Sequence, residues 1–120
     1  MQDNKTELSV STEVLEQMAE IAALEVDGVV ELSRKSLDIK DVIKVKSAFK
    51  GVKAEIINGA VHITVYIKVK EDAALKTVAL NVQNNVKEKI QTMTGTVVTG
   101  VNVIVADVSL KNGLQQEENQ

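Results

Sequence analysis

The side chains that could do chemistry are few. His62 is the one histidine of the 120 residues, and its ordinary pKa lies near neutrality. Thr64, Tyr66 and Lys68 follow at every second position, which puts all four on one face of an extended strand. A general base needs a nucleophile or a substrate pocket within reach. No cysteine and no second histidine exist to supply a thiolate, a His pair or a multi-histidine metal site. The face therefore reads as an exposed strand surface and not as a catalytic centre. Glu25 and Asp27 form a second candidate pair, suited to acid–base work or a hard cation. Two residues apart at a helix end they diverge, so terminal capping and solvation describe them better. No Gly-rich phosphate loop, Gly-x-Ser-x-Gly elbow or metal-ligand spacing occurs. No catalytic, cofactor-binding or metal residue is assigned, and the protein reads as a non-enzyme.

Charge is the other source of chemistry. The net charge is only -3, but its distribution is uneven. Glu7, Glu13, Glu16, Glu20, Glu25, Asp27 and Glu31 lie in residues 6–33 without a single Lys or Arg. Arg34, Lys35, Lys40, Lys44, Lys46 and Lys50 then form a candidate basic patch, interrupted by Asp38 and Asp41. Two such surfaces can steer one copy toward another, or the basic one toward an acidic partner. Each basic residue near an anionic membrane contributes about 1 kcal/mol. The interrupting aspartates and the acidic helix beside them disfavour direct lipid binding. Nucleic acid is disfavoured too, because the chain is acidic overall and Phe49 and Tyr66 are its only aromatics.

The elements that position these residues are legible from periodicity. Ser11 predicts an N-cap, with Glu13 in the first turn and Val10 and Leu15 spaced as a hydrophobic staple. Val14, Leu15, Met18, Ile21, Ala22 and Val26 follow helical spacing, and Gly28 is the expected stop. Residues 29–32 read as a short strand. Residues 33–50 mix helical and strand patterns and read as a mobile basic linker. Asn58-Gly59 is the preferred pair for a type I′ hairpin turn between residues 52–57 and 60–70. In the second of these strands Val61, Ile63, Val65, Ile67 and Val69 face one way and His62, Thr64, Tyr66, Lys68 and Lys70 the other. A second helix is expected from a cap at Asp72, with Leu75, Val78, Ala79, Val82, Val86, Ile90 and Met93 as its apolar stripe and Gly95 as its end. The last strand, residues 97–108, is apolar on both faces. Strict alternation sets Val98, Asn102, Ile104, Ala106 and Val108 on one of them.

These elements predict an α+β fold, a two-layer sandwich with two amphipathic helices on one face of a mixed sheet. The expected order is strand, helix, strand, linker, hairpin, helix, strand. One domain spans residues 7–110, between a flexible N-terminus (1–6) and a disordered polar tail (111–120). His62, Tyr66, Lys68, Val98 and Ile104 are the candidate protein-interaction face, with Ile57 adding apolar area. The start of the chain lacks a signal-peptide pattern, and no apolar run is long enough to span a bilayer. A cytosolic location is the default, and any place at the membrane would be reached through a partner.

The chain also resembles the alkaline shock protein family of Gram-positive bacteria, the Gls general-stress family. The resemblance lies in Ile21-Ala22-Ala23-Leu24-Glu25-Val26-Asp27-Gly28-Val29, Gly51-Val52-Lys53, Val65-Tyr66-Ile67, Asn81 to Lys87, Met93-Thr94-Gly95 and Val101 to Val105. It covers about residues 8–108, and the order and spacing of the pieces carry it. The chain departs from the family at Lys70-Glu71-Asp72 and in its Lys-rich linker. The resemblance implies a non-enzymatic envelope-stress protein without a cofactor. Such a protein self-associates and is held at the inner membrane surface by a small membrane-anchored partner. The alternative it implies is a regulatory binding module for a soluble enzyme of lipid metabolism.

Overall fold

The computed structural model describes residues 8–34 and 50–110. Helix α1 spans Thr12–Leu24, strand β1 Val29–Leu32, strand β2 Val52–Ile57 and strand β3 Ala60–Lys70. Helix α2 spans Leu75–Thr94 and strand β4 Val98–Ser109. The fold is the expected α+β sandwich of two helices on a mixed four-stranded sheet. The expected leading strand is absent among the described residues, because 8–11 lead straight into α1. The expectations for residues 1–6, 35–49 and 111–120 lie outside the described residues.

β3 organises the sheet. β2 pairs with it antiparallel along residues 60–65, and β1 pairs antiparallel along 67–69, both on the same edge. β4 pairs parallel along the opposite edge, from Val61↔Val98 to Lys70↔Ser109. Parallel neighbours need a crossover, and α2 supplies it. The hairpin turn is as expected: Asn58 and Gly59 have φ of 52° and 80°, the pair of positive values that a type I′ turn requires.

The helices cover the face of β3 that carries Val61, Ile63, Val65, Ile67 and Val69, none more than 1% exposed. α1 docks there through Leu15, Ala19, Ala22 and Ala23, and three small side chains bring its backbone close to the sheet. Ser11 caps it as expected, its Oγ accepting from the Val14 N–H at 3.2 Å. Val14 and Ile21 of the expected stripe are instead exposed. α1 also stops earlier than expected, with Glu25 as its cap. Gly28 serves a different purpose: at φ +102°, a Cβ on it would sit 2.7 Å from Val78 Cγ2 of α2. α2 buries Val78, Val82, Val86 and Ile90, one residue per turn. Leu75 and Met93 of the expected stripe are exposed. Its N-cap is Ala74, without a side-chain bond, because Asp72 belongs to the preceding turn. Gly95 ends it in the left-handed conformation, its N–H donating to the Gln91 carbonyl.

The glycines give a direct test of the turns. Gly51 (φ +89°) lies where a Cβ would meet Ser33 O at 2.7 Å and Leu32 Cβ at 2.9 Å, whereas Gly59 (φ +80°) faces open space. Gly59→Ala should cost about 1 kcal/mol, the left-handed strain alone. Gly51→Ala adds the overlap and should cost about 3 kcal/mol. Urea unfolding of the two variants beside the parent checks the difference.

Candidate interaction face

The second face of the sheet holds four of the five residues of the expected interaction face: His62, Tyr66, Lys68 and Ile104. Its rows follow from the register. Ile57 lies opposite Ala60 on β3. Glu55, His62 and Gly100 share the next row, then Lys53, Thr64 and Asn102. Tyr66 pairs with Ile104, and Lys68 lies between Glu31 and Asp107. Oppositely charged neighbours meet at the surface: Lys68 lies 3.7 Å from Glu31 and Lys53 3.6 Å from Glu55. Exposed pairs of this kind set orientation more than stability.

His62 is exposed, and its ring lies over Gly100. A Cβ there would stand 2.9 Å from His62 Cε1 and 3.0 Å from Nδ1. A glycine inside a strand pattern signals such a close approach, and that is how Gly100 could have been found. Among the described residues no group of three or more His, Asp or Glu could hold a metal ion.

Val98 does not belong to this face. It is 2% exposed, pairs with Val61 and lies in the core. The reason is a pair of register shifts in β4, one between the partners of Val61 and His62 and one between those of Ile67 and Lys68. Each bulge inserts one residue, Thr99 or Ala106, and exchanges the faces beyond it. Val98, Val101, Val103, Val105 and Val108 therefore pair with core-facing residues of β3, and Ile104 keeps its expected place beside Tyr66.

Of the basic patch, Arg34 and Lys50 are described and exposed. Lys35, Lys40, Lys44 and Lys46 lie outside the described residues. The neighbours of Arg34 and Lys50 meet at Tyr66, whose carbonyl accepts from the Ser33 N–H at 2.7 Å and whose N–H donates to the Gly51 carbonyl at 2.8 Å. No local pattern in residues 60–70 signals that one residue of β3 holds both ends of the basic segment.

Glu25 and Asp27 diverge as expected. Asn85 donates to the Ala22 carbonyl at 2.7 Å and to Glu25 Oε1 at 3.0 Å, and Lys89 donates to Glu25 Oε2 at 3.1 Å. Asp27 meets Lys70 at 3.7 Å. The last turn of α1 is thus tied to the middle of α2, and an end carbonyl finds its donor there.

With this geometry in place, comparison with known proteins decides the family. The family model for alkaline shock protein 23, described as having a cell envelope-related function, matches residues 1–110. The chain belongs to that family. Two Bacillus subtilis (strain 168) proteins are similar to it, both uncharacterised. YqhY is 27% identical over 110 residues, covering 91% of this chain and 82% of its own. YloU is 30% identical over 110 residues, covering 88% and 91%. Among solved structures a form of the MamM CTD superposes with a TM-score of 0.49 at 12% identity, over 84% of this chain and 99% of that one. A role connected with the cell envelope thus follows for this family member. No helix among the described residues is long and apolar enough to cross a membrane.

The clamp between the helices is testable by pH. Bonding from Asn85 and Lys89, in that order of effect, holds the Glu25 carboxyl below its ordinary value of 4.5. A carboxyl with a depressed folded pKa contributes stability above 4.5 and loses it as pH falls through the lowered value. Glu25→Gln should therefore be less stable than the parent at neutral pH, and the gap should close on acidification below 4.5. Denaturation midpoints across that range check it.

Proposed function

We propose that the protein is a non-enzymatic scaffold of cell-envelope stress homeostasis that self-associates and docks on a small membrane-anchored protein. The observation that supports this reading is the one-sided cover of the sheet. Both helices pack on the odd-numbered face of β3, and no described helix lies on the other. That open face sets Ile57, 49% exposed, and the half-buried Ile104 among His62, Lys68 and their charged neighbours. Apolar residues rimmed by polar ones suit a contact surface. The basic segment from Arg34 to Lys50 leaves and rejoins the fold at Tyr66, whose side chain is on this same face, and there it can steer an acidic partner. The protein acts in the cytosol, at the inner membrane surface only through its partner. His62 acts as a contact residue, since it is exposed between Gly100 on one side and Glu55 on the other.

Affinity capture from native cells under gentle detergent tests this. A small membrane protein should be recovered in stoichiometric amount. The double variant Ile57→Glu/His62→Glu should lower its recovery at least tenfold while thermal unfolding stays within a few degrees of the parent. Recovery of a soluble lipid-metabolism enzyme, with a changed rate on adding the protein, would favour the regulatory alternative instead.

A further inference from the structure

Side chains close parts of the sheet's open edges. On the β2 edge Glu16 Oε2 accepts from the outward Ala54 N–H at 3.0 Å. Lys53 and Glu55 alternate along the same strand, and charged side chains blunt an edge. On the β4 edge Gln91 Oε1 accepts from the Val98 N–H, and Gln83 Nε2 donates to the Val101 carbonyl, both at 3.1 Å. Further along, the Val108 N–H is taken by Asp107 Oδ1 at 2.9 Å.

Between these two closures lies an open window. Val61 pairs with Val98 and donates to the Val97 carbonyl, so β3 bonds to the residues on either side of each partner. In the stretch where Ile63, Val65 and Ile67 pair with Val101, Val103 and Val105, it is Gly100, Asn102 and Ile104 that turn toward β3. The N–H and C=O groups of Val103 and Val105 point outward, and among the described residues nothing bonds them. Residues 98–106 carry no charge and no proline, the usual protections of an edge.

The window has the symmetry of a seam between identical copies. It is three residues long and centred on Ile104, with one outward residue on each side. We propose that two copies of the chain join edge to edge through β4, antiparallel about Ile104, into one continuous sheet. This rests on the self-association reading above and names where it occurs. Val103 of one copy then exchanges both backbone bonds with Val105 of the other, and Val105 with Val103. The two Ile104 residues become a non-hydrogen-bonded pair with Cα atoms about 4.5 Å apart. Asp107, the one charge on β4, falls opposite Val101 and away from its own copy. Leu80, half exposed, lies one turn before Gln83 on the same side of α2 and is drawn into the seam. A longer foreign strand would meet Gln83 at one end and the Ala106 bulge at the other.

The chain has no cysteine, so a single introduced thiol reports the geometry. Under mild oxidation Ile104→Cys should form a covalent dimer at least tenfold faster than Asn102→Cys, which would lie about 13 Å from its own copy at the strand's rise per residue. Val105→Pro removes only an outward N–H, and Ile104→Lys sets like charges face to face. Either variant, folded by circular dichroism, should sediment as a monomer where the parent is a dimer. Equal cross-linking of the two cysteine variants, or a dimer that survives both substitutions, would overturn the seam and leave self-association standing. A parent that stays monomeric at every concentration would overturn both.

Discussion

The fold depends on one strand that must satisfy three neighbours at once. β3 gives one edge to β4 along its whole length and divides the other between β2 and β1. Its odd-numbered side chains, all branched and all buried, form the floor on which both helices lie. Burying a side chain of this size contributes about 1.5–3 kcal/mol. Five in a row outweigh any other local arrangement in the chain. A one-residue slip would turn all five to solvent, so the register of each neighbour is fixed through this row. The change of partner occurs at Tyr66, whose two backbone groups bond Gly51 and Ser33 and so bridge the gap between β2 and β1.

The helices do more than cover the core. Glu16, Gln83 and Gln91 each reach from a helix to a backbone group on an open strand edge. Each supplies a bond that another strand would otherwise have to make. Exposed edges invite pairing with foreign chains, and polar side chains that occupy them suppress it. These helix residues therefore decide where the sheet ends, and by omission where it can be extended.

What was legible in the sequence follows from how local each signal is. The hairpin needs only Asn58-Gly59 and the alternation on either side, so it was readable in full. The first helix start was readable because Ser11 makes its bond three residues away. The face assignment of β4 was not. Strict alternation places Val98 with Ile104, but bulges at Thr99 and Ala106 return Val98 to the core, and bulges depend on the neighbouring strand. Helix ends were misplaced for a related reason. Gly28 looks like a helix stop, yet its missing Cβ makes room for Val78, fifty residues away in the chain. Of the candidate face, His62, Tyr66, Lys68 and Ile104 were found by alternation along β3 and the middle of β4. The glycine beneath His62 and the junction at Tyr66 were not, because both are contacts between strands.

The Tyr66 junction also separates fold from charge. Ser33 and Gly51 touch, since a Cβ on Gly51 would press against the Ser33 carbonyl. The chain therefore leaves and returns at one point, and the sheet is continuous without what lies between. A closed insertion of this kind adds little loop-closure cost as its length grows, because that cost rises only with the logarithm of length. The segment between these two ends, residues 35–49, is rich in lysine. Glu13, Glu16 and Glu20, in contrast, lie on α1 and Glu25 caps it, with Glu16 held by Ala54 and Glu25 by Asn85. The described sandwich thus carries acidic side chains held by packing contacts, and at Tyr66 it holds the point where the basic segment leaves and rejoins it.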